Sequence, residues 1–200
     1  MNYYTTPRLI RETSQGIEYI PIVEMMLSRR EIWLTGEIDS QLADAVISQI
    51  LQLDAEMPQT EITIYIDSPG GSVNAGLAIY DIMQAVQSNI RTVCIGMAAS
   101  MAAVLFASGD TREILKHGEV MVHDPLVNSG IAGSALAVQD KSDRLMQMRK
   151  TICGILAAHT GKSMRQIYKV TAKDTYFGAE AAVQFGLADR IIDRIERSCA

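Results

Sequence analysis

The sequence predicts an α/β domain built with right-handed crossovers. Short runs with a two-residue or β-branched pattern, such as Glu61-Ile62-Thr63-Ile64-Tyr65-Ile66 and Arg91-Thr92-Val93-Cys94-Ile95, alternate along the chain with stretches of helical period. Glycine, proline or a capping residue stands at most of the boundaries. With 200 residues, 48% of them hydrophobic, the chain is long enough to bury one sizeable core.

Taken in order, residues 1–20 show no sustained period and are expected to form a mobile arm with a loose hairpin around Ser14-Gln15-Gly16. Residues 21–200 are then a single domain. Ile22 to Leu27 suits a short helix, and Glu31 to Thr35 a strand closed by Gly36. Asp39 or Ser40 caps a helix whose apolar face runs Leu42, Val46, Ile50, Leu53 and Met57 before Pro58 stops it. After the 61–66 strand, Asp67-Ser68-Pro69-Gly70-Gly71-Ser72 is the sharpest turn signal in the chain. Ala75, Ile79, Ile82 and Val86 mark a helix, and a strand over 91–95 and a helix over 102–108 follow it. Arg112 to Leu115 and Glu119 to Val122 read as short strands joined by Lys116-His117-Gly118 in a hairpin-like turn. Leu136 to His159 is a long helix, and Ser163 with Gln166 has capping-box spacing for a short one. Gly178 to Phe185 makes a last helix and Arg190 to Ile192 a last strand.

Charge and composition narrow the function. A net charge of -5 without any lysine–arginine cluster argues against a nucleic-acid footprint. The three cysteines, Cys94, Cys153 and Cys199, lack metal-ligand spacing. Cys94 and Cys153 lie in apolar runs, as buried thiols of a reducing compartment would. Met1 to Arg8 lacks the apolar core of a signal peptide, and Val93 to Gly109 is too short and too interrupted for a membrane span. A cytoplasmic protein is expected. Thr160-Gly161-Lys162-Ser163 has the tail of a phosphate loop, but Leu156 replaces the leading glycine and a helix precedes it, so no nucleotide or other cofactor is expected.

In Gly96-Met97-Ala98-Ala99-Ser100-Met101-Ala102-Ala103, Ser100 stands where a strand becomes a helix, among side chains too small to shield its hydroxyl. Helix N–H groups nearby favour negative charge, which suits a nucleophile. A helix-capping serine fits the same pattern. Of the three histidines, His117 in a turn and His159 at a helix end have structural explanations. His123 closes an apolar strand beside a loop, where a general base or a buried structural histidine would both fit. Asp174, between helices and flanked by aromatic residues, is a candidate for orienting a base, or a turn aspartate. The Gly70-Gly71 pair suits an oxyanion hole or a cradle for a substrate backbone, or simply a tight turn.

Ser68-Pro69-Gly70-Gly71-Ser72, Gly96-Met97-Ala98-Ala99-Ser100-Met101-Ala102, Met121-Val122-His123-Asp124-Pro125 and Lys173-Asp174-Thr175-Tyr176-Phe177-Gly178-Ala179-Glu180 together resemble the proteolytic-subunit family of the Clp protease (ClpP). The resemblance runs from about Arg8 to Ile192. It implies a crotonase-like spiral of ββα units with a projecting strand–helix handle over residues 126–160. It implies Ser100 as nucleophile, His123 as general base and Asp174 as the orienting acid. The backbone N–H groups of Gly71 and Met101 would form the oxyanion hole, and Gly70, Gly130 and Ile131 would contact substrate. It further implies heptameric rings stacked as a tetradecamer, an AAA+ unfoldase of the Clp family that uses the ATP, and unfolded polypeptide as substrate. The 1–20 arm would line the axial pores.

Three positions depart from the family pattern. Val127-Asn128 stands where adjacent glycines are usual, Ala172-Lys173 where an Asp-Arg pair serves ring–ring contacts, and Asp124 where glutamine is usual. A carboxylate beside the base would favour its charged form. These departures point to a divergent copy that needs a partner paralogue for full activity. A non-cutting ring subunit and a crotonase-type acyl-CoA enzyme are the competing readings.

Overall fold

The computed structural model describes residues 7–14, 16–126 and 133–195. Strands β1 (Arg8–Thr13) and β2 (Gly16–Pro21) form an antiparallel hairpin exposed along most of its length, leading into helix α1 (Ile22–Leu27). The body is a sheet with helices against it. Strands β3 (Glu31–Ile38), β4 (Ile62–Gly71), β5 (Ile90–Ala99), β6 (Thr111–Leu115) and β9 (Arg190–Ile192) lie side by side in that order, all parallel. Helices α2 (Ser40–Glu56) and α3 (Val73–Ala85) make the first two crossovers.

Local chemistry sets these boundaries. The Asp39 carboxylate accepts the Leu42 N–H at 2.8 Å and starts α2, which buries Ala43, Val46, Ile50 and Leu53. Met57, expected on that face, is 55% exposed because the helix has already ended at Glu56. Isoleucines 62, 64 and 66 of β4 are buried together with the intervening Thr63 and Tyr65, as in a strand covered on both faces.

The expected turn over 67–72 is instead the end of β4, which runs on to Gly71 beside Glu37 and Ile38 of β3. A register shift between Ile66 and Ser68 absorbs the irregular residues. The Asp67 carboxylate accepts the Met97 N–H at 2.9 Å across that bulge. Proline and paired glycines ordinarily punctuate a strand; here they lie within its bent last segment, and the strand ends only at Gly71.

Strand β5 changes neighbours along its length. Arg91 to Cys94 pair with β6, whereas Met97 to Ala99 pair with β7 (Glu119–Val122), also parallel. Strands β6 and β7 therefore both flank β5, and the residues joining them do not form a hairpin turn, contrary to the sequence-based expectation. An eighth strand, β8 (Thr175–Gly178), which the sequence pattern does not announce, pairs antiparallel with β7. Helix α4 (Met101–Ala107) follows β5 directly and is buried at every residue, so it is the centre of the core. Helices α3 and α5 (Ala135–Thr160) pack against it, α6 (Met164–Thr171) packs on α5, and α7 (Ala179–Phe185) packs beside β7, β8 and β9. The Ser163–Gln166 capping box of α6 is formed as expected. Among the described residues, no helix is long and apolar enough to cross a membrane.

Candidate active site

The site lies where β5 leaves β6 for β7, an opening at the C-terminal ends of parallel strands. Ser100 occupies the single residue between β5 and α4, with φ 54° and ψ -120°. That region costs a non-glycine residue about 1–3 kcal/mol. The surroundings compel it. The Ser100 N–H donates to the Met121 carbonyl at 2.8 Å, extending the pairing with β7, while the Ser100 carbonyl already accepts the Ala103 N–H at 3.1 Å. One residue thus serves both a sheet and a helix, and its side chain is thrust out of the turn.

His123 follows β7 immediately, one strand away. Its Nε2 is 2.8 Å from Ser100 Oγ, a direct hydrogen bond. A cleft of about 280 Å³ opens over the pair, lined also by Glu37, Pro69, Gly70, Gly71, Val73, Pro125 and Leu126. Beneath Ser100, a cavity of about 20 Å³ between Val73, Met101, Val104, Val122, Ile152 and Leu156 has room for little more than one water.

Gly70 is pressed against the serine turn. A Cβ there would stand 2.7 Å from Ser100 Cβ and 2.6 Å from the Ala99 carbonyl oxygen, at a φ of +91° that side chains rarely adopt. Its N–H is taken by Ser68 Oγ at 3.1 Å. Gly71 packs as tightly on Ile38, where a Cβ would be 2.4 Å from the carbonyl oxygen. Met101 is the first residue of α4, so its N–H is among those a helix leaves without an internal acceptor.

The third expected partner is not in contact. The Asp174 side chain is exposed, and among the described residues His123 Nδ1 is buried without a hydrogen-bond partner. Each of the two lies one residue beyond the end of the β7–β8 ladder. The β7–β8 ladder ends with Val122 opposite Thr175, so the same register carried one residue further sets His123 across from Asp174. Opposed residues of antiparallel strands have Cβ atoms about 5 Å apart.

The carboxylate that follows His123 is engaged elsewhere: Asp124 Oδ2 accepts from Arg149 Nε on α5 at 2.7 Å. Sequence reasoning missed Arg149, and no local pattern links it to a residue so distant in the chain. His159 lies edge-on to the Tyr80 ring, its Nε2 3.4 Å from the Tyr80 hydroxyl, and burial lowers its basicity. Cys94 and Cys153 are buried free thiols, and burial pushes Cys94 up to about 12. No group of His, Cys, Asp and Glu side chains among the described residues could hold a metal ion. Gly130 and Ile131, and Cys199, lie outside the described residues.

A protein-family model described as Clp protease matches residues 14–195 of this chain. The chain belongs to the Clp protease family. As a family member it is a protease, and its parallel sheet with packed helices agrees with the ClpP/crotonase-like fold that the sequence motifs led us to expect. The match covers all the elements that build the serine–histidine site, from the bend in β4 to the β7–β8 ladder.

Proposed function

We propose that this chain is a serine-type endopeptidase subunit of a compartmentalised Clp protease. One observation carries the reading: the 2.8 Å contact between Ser100 Oγ and His123 Nε2 at a strained turn facing an open cleft. In the reaction, Nε2 takes the hydroxyl proton as Oγ bonds to the substrate carbonyl carbon. The carbonyl oxygen becomes an oxyanion, held by the backbone N–H groups of Met101 and Gly71. The imidazolium then returns its proton to the leaving amine as the C–N bond breaks. Water repeats the sequence on the acyl-enzyme and frees Ser100. No cofactor enters these steps.

Asp174 is the acid that orients His123 in this reading, supported by the ladder register rather than by a present contact. Swinging its exposed carboxylate inward would satisfy the buried Nδ1. Family membership supports a ring-forming oligomer; in our reading two heptamers stack, residues 126–160 form the handle between them, and the N-terminal arm lines the axial pore. A Clp-family AAA+ unfoldase spends the ATP and feeds unfolded chains to the cleft, with no nucleic acid or membrane involved. Gly70, Gly130 and Ile131 would hold the substrate backbone.

The unpaired Nδ1 and the exposed Asp174 favour a second reading: a subunit that becomes fully active only with a partner paralogue in a mixed particle. Hydrolysis of a short fluorogenic peptide by wild type and Ser100→Ala tests the main proposal. Activity in wild type that vanishes in the variant supports it; equal rates overturn it. Turnover that appears only when the paralogue is added selects the second reading.

A further inference from the structure

The residue after the base has a chemistry that the hydrolytic steps do not use. The Asp124 N–H donates to the Thr171 carbonyl at 2.7 Å, tying this segment to the last residue of α6. Its Oδ2 accepts from Arg149 Nε at 2.7 Å, and the Arg149 guanidinium lies 4.3 Å from the centre of the Tyr168 ring on α6. The two charged side chains are only 24% and 30% exposed. One turn along α5, Cys153 Sγ meets Thr171 Oγ1 at 3.7 Å. Helices α5 and α6 and the base segment therefore converge one residue from the imidazole.

Two neighbouring polar atoms in this knot, His123 Nδ1 and Asp124 Oδ1, are buried without a partner among the described residues. A shielded carboxylate with one oxygen idle is a poor device for stability, because an apolar pair of similar size serves a core as well or better. Its location beside the base gives it another use.

We propose that Asp124 and Arg149 form a latch that positions His123 and, by pairing the two charges next to it, keeps its imidazole neutral. The proposal rests on the assignment of His123 as general base. With the latch closed, the guanidinium offsets the carboxylate and the imidazole sees little net charge. Without the guanidinium, Asp124 would stand uncompensated beside His123 and favour the imidazolium, which cannot accept the serine proton. Other charged groups bear on the imidazole too: Glu37 from β3 across the cleft and Asp174 before β8. The Cys153 thiol on α5, raised chiefly by burial, stays protonated. All three persist in the variants below, so shifts among those variants report on the latch.

The test is the pH dependence of kcat/KM for a short peptide with the full chain, in Asp124→Asn, Arg149→Gln, the double variant and Arg149→Lys. Arg149→Gln is expected to move the acid limb to higher pH by roughly half a unit or more, and Asp124→Asn to lower pH. The double variant should return near the wild-type midpoint. Arg149→Lys retains the charge without the planar fork, and should keep the midpoint with a reduced plateau. Where turnover is too slow, the rate of fluorophosphonate labelling of Ser100 against pH gives the same midpoint. Midpoints that do not move, or that move together in the two single variants, overturn the latch. His123→Ala separates the two failures: if it still hydrolyses peptide at the wild-type rate the base assignment falls, and if it is inactive while the limbs stay put only the latch falls.

Discussion

Replacing Ser100 by glycine should make the protein more stable than replacing it by alanine, which inverts the usual order for these two residues. Both variants lose the hydroxyl and its bond to His123, so that loss cancels between them. Alanine retains the φ of 54° and ψ of -120° that a Cβ resists, at about 1–3 kcal/mol, whereas glycine adopts them freely. Against this stands the larger unfolded-state entropy of glycine, about 0.5–1 kcal/mol. The balance favours glycine by about 1 kcal/mol, which corresponds to about 2–4 °C in Tm for a chain of this size. Calorimetry or circular-dichroism melting of the two variants in the same oligomeric state reads the difference. An alanine variant that melts at the same temperature or higher would show that the serine turn stores no strain.

Other perturbations reach the same architecture from different sides. Gly70→Ala should abolish hydrolysis and lower Tm, because the new Cβ would meet Ser100 Cβ at 2.7 Å where backbone on both sides leaves no room to yield; a variant with wild-type activity and melting would refute the close packing of β4 on the serine turn. Arg112 donates to the His159 and Gly186 carbonyls at 2.8 Å each and pairs with Asp189, so Arg112→Ala should destabilise by roughly 2 kcal/mol, read by urea unfolding. Burial pushes the Asp189 carboxyl up, but the hydrogen bonds and charge of Arg112 outweigh it and hold the group below the ordinary aspartate range. Its contribution to stability is therefore full above the unfolded aspartate value and is lost as pH falls through the lower folded one. Asp189→Asn should flatten that part of the acid-unfolding curve, and an unchanged curve would count against the pairing.

Much of this could be read from residue order because local and global preferences agree. The caps at Asp39 and Ser163, the alternating strand over Ile62 to Ile66 and the small residues around Ser100 all announce their structures, although the burial of Thr63 and Tyr65 on the other face of that strand does not follow from the alternation. What escaped depends on pairing between distant segments. Asp67 to Gly71 carry turn chemistry, yet β3 on one side and β5 on the other hold them in a strand. Thr175 to Gly178 is too short to carry a period and becomes a strand only because β7 offers an open edge. Ser100 and His123 were separable from other serines and histidines by their positions at strand ends, but the 2.8 Å between them comes from β7 lying beside β5. Arg149 shows the limit most clearly, since its ion pair with Asp124 exists only because α5 folds back to the segment that follows β7.

Mass analysis of the protein after treatment with a fluorophosphonate bears most directly on the claim that Ser100 is a nucleophile activated by His123. The account predicts one adduct per chain, mapped to Ser100, absent in Ser100→Ala and formed far more slowly in His123→Ala. A particle that hydrolyses peptide yet carries no adduct, or carries it on another residue, would contradict it.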